Sequence, residues 1–555
     1  MSLIGLAQIS NQMEDSAPDG GDSSTSEPTR SGGGERPEVI VISEHGDVVL
    51  DATFRNSKDT IRSARKAAAA QTSQPRRGGE PQPLPKARVR LAFRVDLAVL
   101  RRQSKYFDKL LGDPHFREAN HVAEAFAALT LKGVKPRDVS VSDVAELPWI
   151  AIHDDDDGAT SYAYRELVFA DLLRILHEGA DAKTAQQQQQ QPQQPQITMA
   201  FVTTLAVLAD RFDCAPAVSK YVAAGGLKFK WPVTSSSRGK QQQQQQSARD
   251  DGASGGFGGG MSRASENVLR QKILVSWLLN QPVRFTAATR ELIMNGSCQW
   301  SSFGEEAEDE MTTATWWYLQ DGLEQELQYR RNCILNTLAS VPRHFLLLYT
   351  SSRGARQQCK LGYDSSVACD SYQLGEMFKF LTNRGLLSLA DFSPASLDAI
   401  AVADADAALL PVDGVLATLR QCPGYQIDKN HTNCGLRTRM LPILDFVQGL
   451  LSASSVPVSR AAWKGNRAAH AWMPNAEPKK MNGGGVGGVG ARDGDGNERS
   501  FRFTRALAAD QRLRFENTMG ADKFARDVFT ATSWDWTAED QGLDHVSTTP
   551  RWTIR

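Results

Sequence analysis

Residues 197–222, ITMAFVTTLAVLADRFDCAPAVSKYV, decide how the first half of the chain is read. Phe201, Leu205, Leu208 and Phe212 follow one another at spacings of 4, 3 and 4 residues, which sets them on one face of a helix. Asp210-Arg211-Phe212-Asp213-Cys214 closes the run. The stretch carries packing residues and no catalytic spacing. It reads as a helix of a protein-interaction module.

Working outward from this helix, residues 186–196 are glutamine-rich and broken by Pro192 and Pro195. Before them, Val168, Leu172, Ile175 and Leu176 form a helical stripe within Tyr164–His177. Leu100, Ser104, Phe107 and Leu111 mark an earlier helix, which follows a strand of alternating Val89, Leu91, Phe93 and Val95. Val39–Ile42 and Val48–Leu50 flank His45-Gly46-Asp47 as strand, turn and strand. Residues 55–87 lose their apolar signal and gain Arg, Lys, Gln, Pro and Gly, so a basic flexible insertion is expected there, with a second insertion at 180–196. Residues 1–36 are Ser, Gly, Asp and Glu without periodicity and are expected to be disordered.

Gln241–Gln246 and the Gly/Ser-rich 251–260 mark a linker at 233–264. A helical block at 265–455 follows. Its stripes are Leu269, Ile273 and Trp277; then Leu323, Leu327, Ile334, Leu338 and Val341, stopped by Pro342; then Leu374, Phe378 and Leu381, capped by Gly385; then Leu444, Val447 and Leu451. A short strand is expected at Phe345–Tyr349. A Gly-rich linker at 456–500 leads to an aromatic element at 501–540, with Phe501, Phe503, Phe515, Phe524, Phe529, Trp534 and Trp536.

The 555 residues give room for two or three domains, and the 41% hydrophobic content is lowered by the polar tracts. A net charge of -1 exerts no global pull toward nucleic acid or an anionic membrane. Seven scattered cysteines argue for a reducing compartment rather than a disulfide framework. No basic, apolar leader opens the chain, and no apolar run approaches the ~18 residues of a spanning helix. An intracellular protein, cytoplasmic or nuclear, is expected.

Gly46-Asp47-Val48-Val49-Leu50, Phe93-Arg94-Val95 with Leu100, Ser104-Lys105-Tyr106-Phe107, Leu167–His177 and Leu205–Cys214 occur in an order that resembles a BTB/POZ domain over about residues 39–232. The pattern departs at Asp96, where such domains carry a His or Lys that joins the polar pairing with Asp47. The second block resembles the companion region of an uncharacterised fungal family of BTB proteins. That likeness is carried by Leu323–Arg331, Cys359–Asp364, Cys369-Asp370-Ser371, Leu374–Met377 and Cys434–Arg437. The resemblance implies an α+β fold, with a BTB/POZ-like small sheet flanked by helices at 37–232. A predominantly α-helical second domain and long low-complexity segments complete the expectation. It further implies homodimerisation or hetero-association through 39–232, and an adaptor or scaffold that presents partner proteins, as for cullin-type ubiquitin ligases. In such a module Leu97, Leu100, Phe107, Leu110, Phe201, Leu205, Leu208 and Phe212 divide between core and partner face. The alternative is a transcription- or chromatin-associated regulator that touches nucleic acid through a zinc-stabilised block or the basic stretches at 62–77 and 88–109.

Five residues have the chemistry of a metal site: Cys359, Cys369, Cys422, His431 and Cys434. Thiolate and imidazole are the ligands Zn²⁺ prefers, and four of them close a structural site. His431 and Cys434 share one loop, and Cys359, Cys422, His431 and Cys434 form the favoured quartet. No Cys-x2-Cys knuckle supports it, and intracellular cysteines are commonly plain buried hydrophobes. Gly485-x-Gly487-x-x-Gly490 lacks a strand before it, and Asp493-x-Asp495-x-Asn497 lacks the Gly and Glu of a calcium loop. Asp154–Asp157 read as a solvated loop. The nine histidines show no catalytic spacing, so an enzyme is not expected.

Overall fold

A computed structural model describes residues 37–72, 84–135, 138–155, 160–178, 197–227, 229–234, 261–297, 300, 319, 321–350, 357–359, 361, 364–387, 411–431, 434–474, 500–504, 506–507, 510 and 519–537. The glutamine tracts, the Gly-rich 482–496 with its two failed motifs, and residues 1–36 lie outside the described residues. The chain divides into two compact units. Unit 1 is 1–232 with 274–281 and 308–317, and unit 2 is 233–273, 282–307 and 318–555.

Unit 1 is built on a mixed sheet of strands β1 (Val39–Val41), β2 (Val48–Arg55), β3 (Arg88–Val95) and β4 (Trp149–Asp155), ordered β1-β3-β2-β4. The sequence suggested that β1 and β2 follow one another across a turn. They flank β3 instead: β2 runs antiparallel to β3 from Val48↔Val95 to Arg55↔Arg88, and β1 lies parallel on its other edge. β4 joins β2 in parallel, and its start at Trp149 lies at the same end of the sheet as the end of β3, beside Val48 and Val49.

Strand alternation then sorts the side chains. Leu50, Ala52, Phe54, Phe93, Ile150 and Ile152 enter the main core. Val49 and Ala92 face the other way and are covered by Leu129, Val139 and Leu147. Both faces of β2 are therefore buried.

The helices of unit 1 are α1 (Lys58–Thr72), α2 (Leu97–Gln103), α3 (Lys105–Gly112), α4 (Arg117–Leu131), α5 (Arg165–Glu178), α6 (Met199–Arg211) and α7 (Ala215–Ala223). α1 occupies part of the expected flexible insertion. The alanine-rich run has high intrinsic helix propensity, and Ser57 Oγ accepts the Thr60 N–H at 3.2 Å as an N-cap. The single helix expected through Leu100 and Leu111 is two, because Ser104 takes extended backbone. Its hydroxyl accepts the Phe107 N–H and donates to the Phe212 carbonyl at 2.6 Å. Asp96 caps α2 by accepting the Val99 N–H, and Asp47 accepts the Leu97 N–H at 2.8 Å. The tie to Asp47 is thus made by backbone, with no basic residue at position 96.

Phe212 is the hub of the core. Its ring lies 5.4 Å from Phe107 and 5.3 Å from Phe169, which in turn meets Phe54 and Phe93. Of the eight residues singled out in this unit, Leu100, Phe107, Leu205, Leu208 and Phe212 are buried core, while Leu97, Leu110 and Phe201 pack against it partly exposed.

Asp154 was read as part of a solvated loop, and the fold corrects this. It is the penultimate residue of β4, 3% exposed, between Arg165 Nη1 at 2.8 Å and the Arg211 guanidinium. Parallel pairing with β2 carries it inward, while its neighbour Asp155 stays exposed opposite Arg55.

His177 closes α5. Its Nδ1 bonds the Leu173 carbonyl at 2.7 Å, and its Nε2 accepts the Asp96 N–H at 3.1 Å. Both bonds are satisfied by the neutral ring, and burial pushes its pKa below the usual value. The unfolded chain takes up a proton near pH 6.5, before the folded one does, so unit 1 loses stability as pH falls below about 6.5. The nearby carboxyl of Asp47 is displaced upward by burial and responds in a more acidic window. His177→Gln keeps an acceptor without the titration. Melting temperatures measured from pH 7.5 to 5 are expected to fall less steeply in this variant than in wild type, and equal slopes contradict the assignment.

Unit 2 takes α9 (Pro282–Asn295), α10 (Leu323–Thr350), α11 (Ser366–Asn383), α12 (Val412–Arg420), α13 (Leu436–Leu451), α14 (Arg460–His470) and α15 (Met519–Phe529), with most of α8 (Arg263–Leu278). α10 is its axis. It runs through Pro342, so neither the stop expected there nor the strand at Phe345–Tyr349 is present. Pro342 removes one backbone donor, but Val341, Pro342, Phe345 and Leu346 are all buried, and that packing holds the helix on course.

Arg330 of α10 bonds Glu326 at 2.7 Å and the carbonyls of Ser455, Val456, Pro457 and His470. Glu326 in turn accepts the Trp472 N–H. These bonds order part of the stretch expected as a linker, where α14 forms behind a Ser459 cap.

The aromatic element packs inside unit 2. β5 (Ser500–Arg502) and β6 (Ser533–Asp535) pair in parallel, and Phe446 of α13 meets Phe501, Phe503 and Phe524 at 5.4–6.3 Å. Gly385 caps α11 at φ +64°, as its sequence position suggested. The buried stripe of that helix is Gln373, Met377, Phe380 and Leu381, and Phe378 points outward. Among the described residues no helix is long and apolar enough to cross a membrane.

Candidate metal centre

Unit 2 gathers four ligand-type side chains from three places in the sequence. Cys369 lies in the first turn of α11, Cys359 in the short segment before it, and His431 and Cys434 in the loop joining α12 to α13. Asp370 fixes the first two together. One of its carboxylate oxygens accepts the Gln358 N–H and the other the Cys359 N–H, each at 2.8 Å. The loop is shaped by Asp428, whose Oδ1 accepts the N–H groups of Asn430 and His431 at 2.7 and 3.1 Å. His431 Nε2 meets Ser365 Oγ at 2.8 Å. With Nε2–H donating to that hydroxyl, Nδ1 presents its lone pair to the sulfurs, as an oriented metal-ligating histidine does.

The ligand atoms of Cys359, Cys369, His431 and Cys434 all lie within 4.8 Å of one another. Cys359 Sγ is 3.7 Å from Cys434 Sγ and 3.4 Å from His431 Nδ1, and Cys434 Sγ is 3.9 Å from the same nitrogen. A tetrahedron with Zn–S near 2.3 Å and Zn–N near 2.0 Å has S···S edges of about 3.8 Å and S···N edges of about 3.5 Å. The three separations lie within about 0.4 Å of those edges. Cys359, Cys369 and His431 are buried and Cys434 is half-buried, so the four positions close the site to a further ligand.

The protonation chemistry points the same way. Burial pushes the Cys359 thiol up, but contacts from the Ser366 hydroxyl, the Leu361 backbone, Cys434 and His431 outweigh it and bring its pKa down to about 7. Cys369 is pushed up to about 12 by burial and by the negative charge of Cys359 and Cys434, and Cys434 is raised by burial and by its contact with Cys359. Three thiolates this close repel one another. A dication bound here would remove that conflict and favour the thiolate form of all three.

The quartet favoured by the sequence therefore needs one correction. Cys422 lies outside the cluster, and Cys369 stands in the place expected for it. Cys422 follows the end of α12, where Arg437 Nη1 holds its carbonyl at 2.6 Å, and its thiol turns to Met377 Sδ of α11 at 3.9 Å. Burial pushes that thiol up to about 11, as for an ordinary core cysteine. Cys369 was among the five sequence candidates, and the signal for it is its place in the first turn of α11, directly before Asp370. Asp370 and Ser365, the two residues that orient the ligands, carry no metal-site spacing and were not anticipated. Comparison with protein-family models, curated proteins and solved structures found no match for this chain.

Proposed function

We propose that the chain is a protein-interaction scaffold, with a BTB/POZ-like docking module in unit 1 and a helical unit 2 clasped by a structural zinc. One observation carries the first part: the order of the elements in unit 1. The strands β2 and β3, then α2, the Ser104–Phe107 segment that opens α3, and then α5 and α6 occur in the sequence order that the resemblance implies. Leu97, Leu110 and Phe201, which pack at the margin of the core, are the members of the singled-out set left for a partner face. The closed quartet supports a metal that holds segments together and leaves no coordination position for a substrate.

Two capture experiments separate this function from nucleic-acid binding. The full chain and a chain lacking residues 39–232 serve as baits, and bound polypeptides are identified by mass spectrometry. Partners that disappear with the deletion support the scaffold, and an unchanged partner set overturns it. DNA retention that weakens steeply with rising salt favours the chromatin-associated alternative.

A further inference from the structure

The metal centre also has the geometry of a peroxide-sensitive clasp. Its four ligands are unequal: Cys369 is 0% exposed, Cys359 4% and His431 1%, whereas Cys434 is half-buried. A small oxidant therefore meets Cys434 first. The sulfur placed to respond is Cys359, whose Sγ stands 3.7 Å from that of Cys434.

We propose that hydroperoxides convert Cys434 and Cys359 into a disulfide and thereby release the metal, an inference that rests on the zinc assignment above. The Cys434 thiolate attacks the O–O bond, forming an S–O bond and expelling hydroxide. The Cys359 thiolate then attacks Cys434 Sγ, forming the S–S bond and expelling a second hydroxide as the S–O bond breaks. Two thiolates lose two electrons, the peroxide gains them, solvent protons convert both hydroxides to water, and the metal leaves as its dication.

With two of four ligands consumed, His431 and Cys369 no longer share a metal. The loop before α13 keeps its disulfide to the segment before α11 and the bonds of Tyr425 to Gln373 and Glu376, but loses its metal link to Cys369 of α11. Cys369 stays a thiol, sealed in the interior. Thiol reductant and zinc restore the original state. The chemistry makes the clasp an oxidation sensor.

The test uses the full-length zinc-loaded chain and the Cys422→Ser variant, which removes a cysteine outside the cluster. Each is treated with hydrogen peroxide, released zinc is followed with a chromogenic chelator, and disulfides are mapped by peptide mass spectrometry without reduction. The expected result is equimolar zinc release in both, a Cys359–Cys434 cross-linked peptide, unmodified Cys369, and reversal by dithiothreitol with added zinc. Zinc retained under conditions that oxidise a free thiol overturns the proposal, as does sulfinic acid at Cys434 without the cross-link. A chain that carries no zinc before treatment and still forms the cross-link refutes the metal assignment while leaving the cysteine pairing in place.

Discussion

Cys369→Ser is expected to strip the chain of zinc, and Cys422→Ser to leave it fully loaded. Both residues are buried cysteines of unit 2, so generic damage from a serine in the interior affects both. Only Cys369 has its sulfur inside the cluster, whereas that of Cys422 faces Met377. Loss of a thiolate opens the tetrahedron and leaves the two remaining thiols and His431 to hold the metal alone. Zinc at a thousand-fold above its dissociation constant stabilises a fold by about 4 kcal/mol, and Cys369→Ser forfeits that contribution. Cys422→Ser carries only the cost of a poorly paired hydroxyl, about 1–3 kcal/mol. Elemental analysis of gel-filtered protein, combined with thermal unfolding with and without a chelator, distinguishes the two. Chelation should lower the melting temperature of Cys422→Ser and leave that of Cys369→Ser unmoved. Zinc lost from Cys422→Ser and kept by Cys369→Ser would reverse the ligand assignment.

Asp154→Asn is expected to be the most damaging conservative change in unit 1. Asp154 provides the negative charge shared by Arg165, which is fully buried, and by Arg211, and through them it ties the end of β4 to α5 and α6. Asparagine keeps the shape and withdraws the charge. Removing one partner of a buried pair costs about 3–5 kcal/mol because the remaining charge stays in a poorly solvated place. Arg165 retains the Arg55 carbonyl and Asn56 Oδ1, which favours the lower part of that range. Asp155→Asn, one residue on and exposed, should leave the denaturation midpoint of unit 1 unchanged. Urea unfolding followed by hydrogen exchange of the β4 amides measures both variants. Equal midpoints for the two would show that Asp154 is solvated after all.

The helices were the most legible part of the chain. The stripes Val168–Leu176 and Leu444–Leu451 face the core as their spacing implied, because each helix buries one continuous face. Where spacing misled, tertiary contact had overridden a local signal. Pro342 does not end α10 because its flanking side chains are buried on every turn. Phe378 is exposed although it lies in register with Leu374 and Leu381, since Met377 and Phe380 take the inward positions. The pairing of β1 with β3 rather than β2 was beyond reach, because strand order depends on long-range contact rather than on local pattern.

At the metal centre the residue types were legible and the membership was not. Cys369 stands ten residues from Cys359 and Cys422 nine from His431, spacings that look alike in sequence, and only the fold shows which sulfur turns toward the others. Asp370 became visible as a determinant only through the two backbone N–H groups that donate to its carboxylate. Local carboxylate runs were misread for the same reason: Asp154 and Asp155 differ by one residue and by the face of a strand.

X-ray absorption at the zinc edge, recorded on the full-length chain as purified from reducing medium, interrogates the metal most directly. Near one zinc per chain, with three sulfur neighbours at about 2.3 Å and one nitrogen at about 2.0 Å, is the predicted result. A chain free of zinc after growth with ample metal, or a zinc shell made of oxygen and nitrogen, would contradict it.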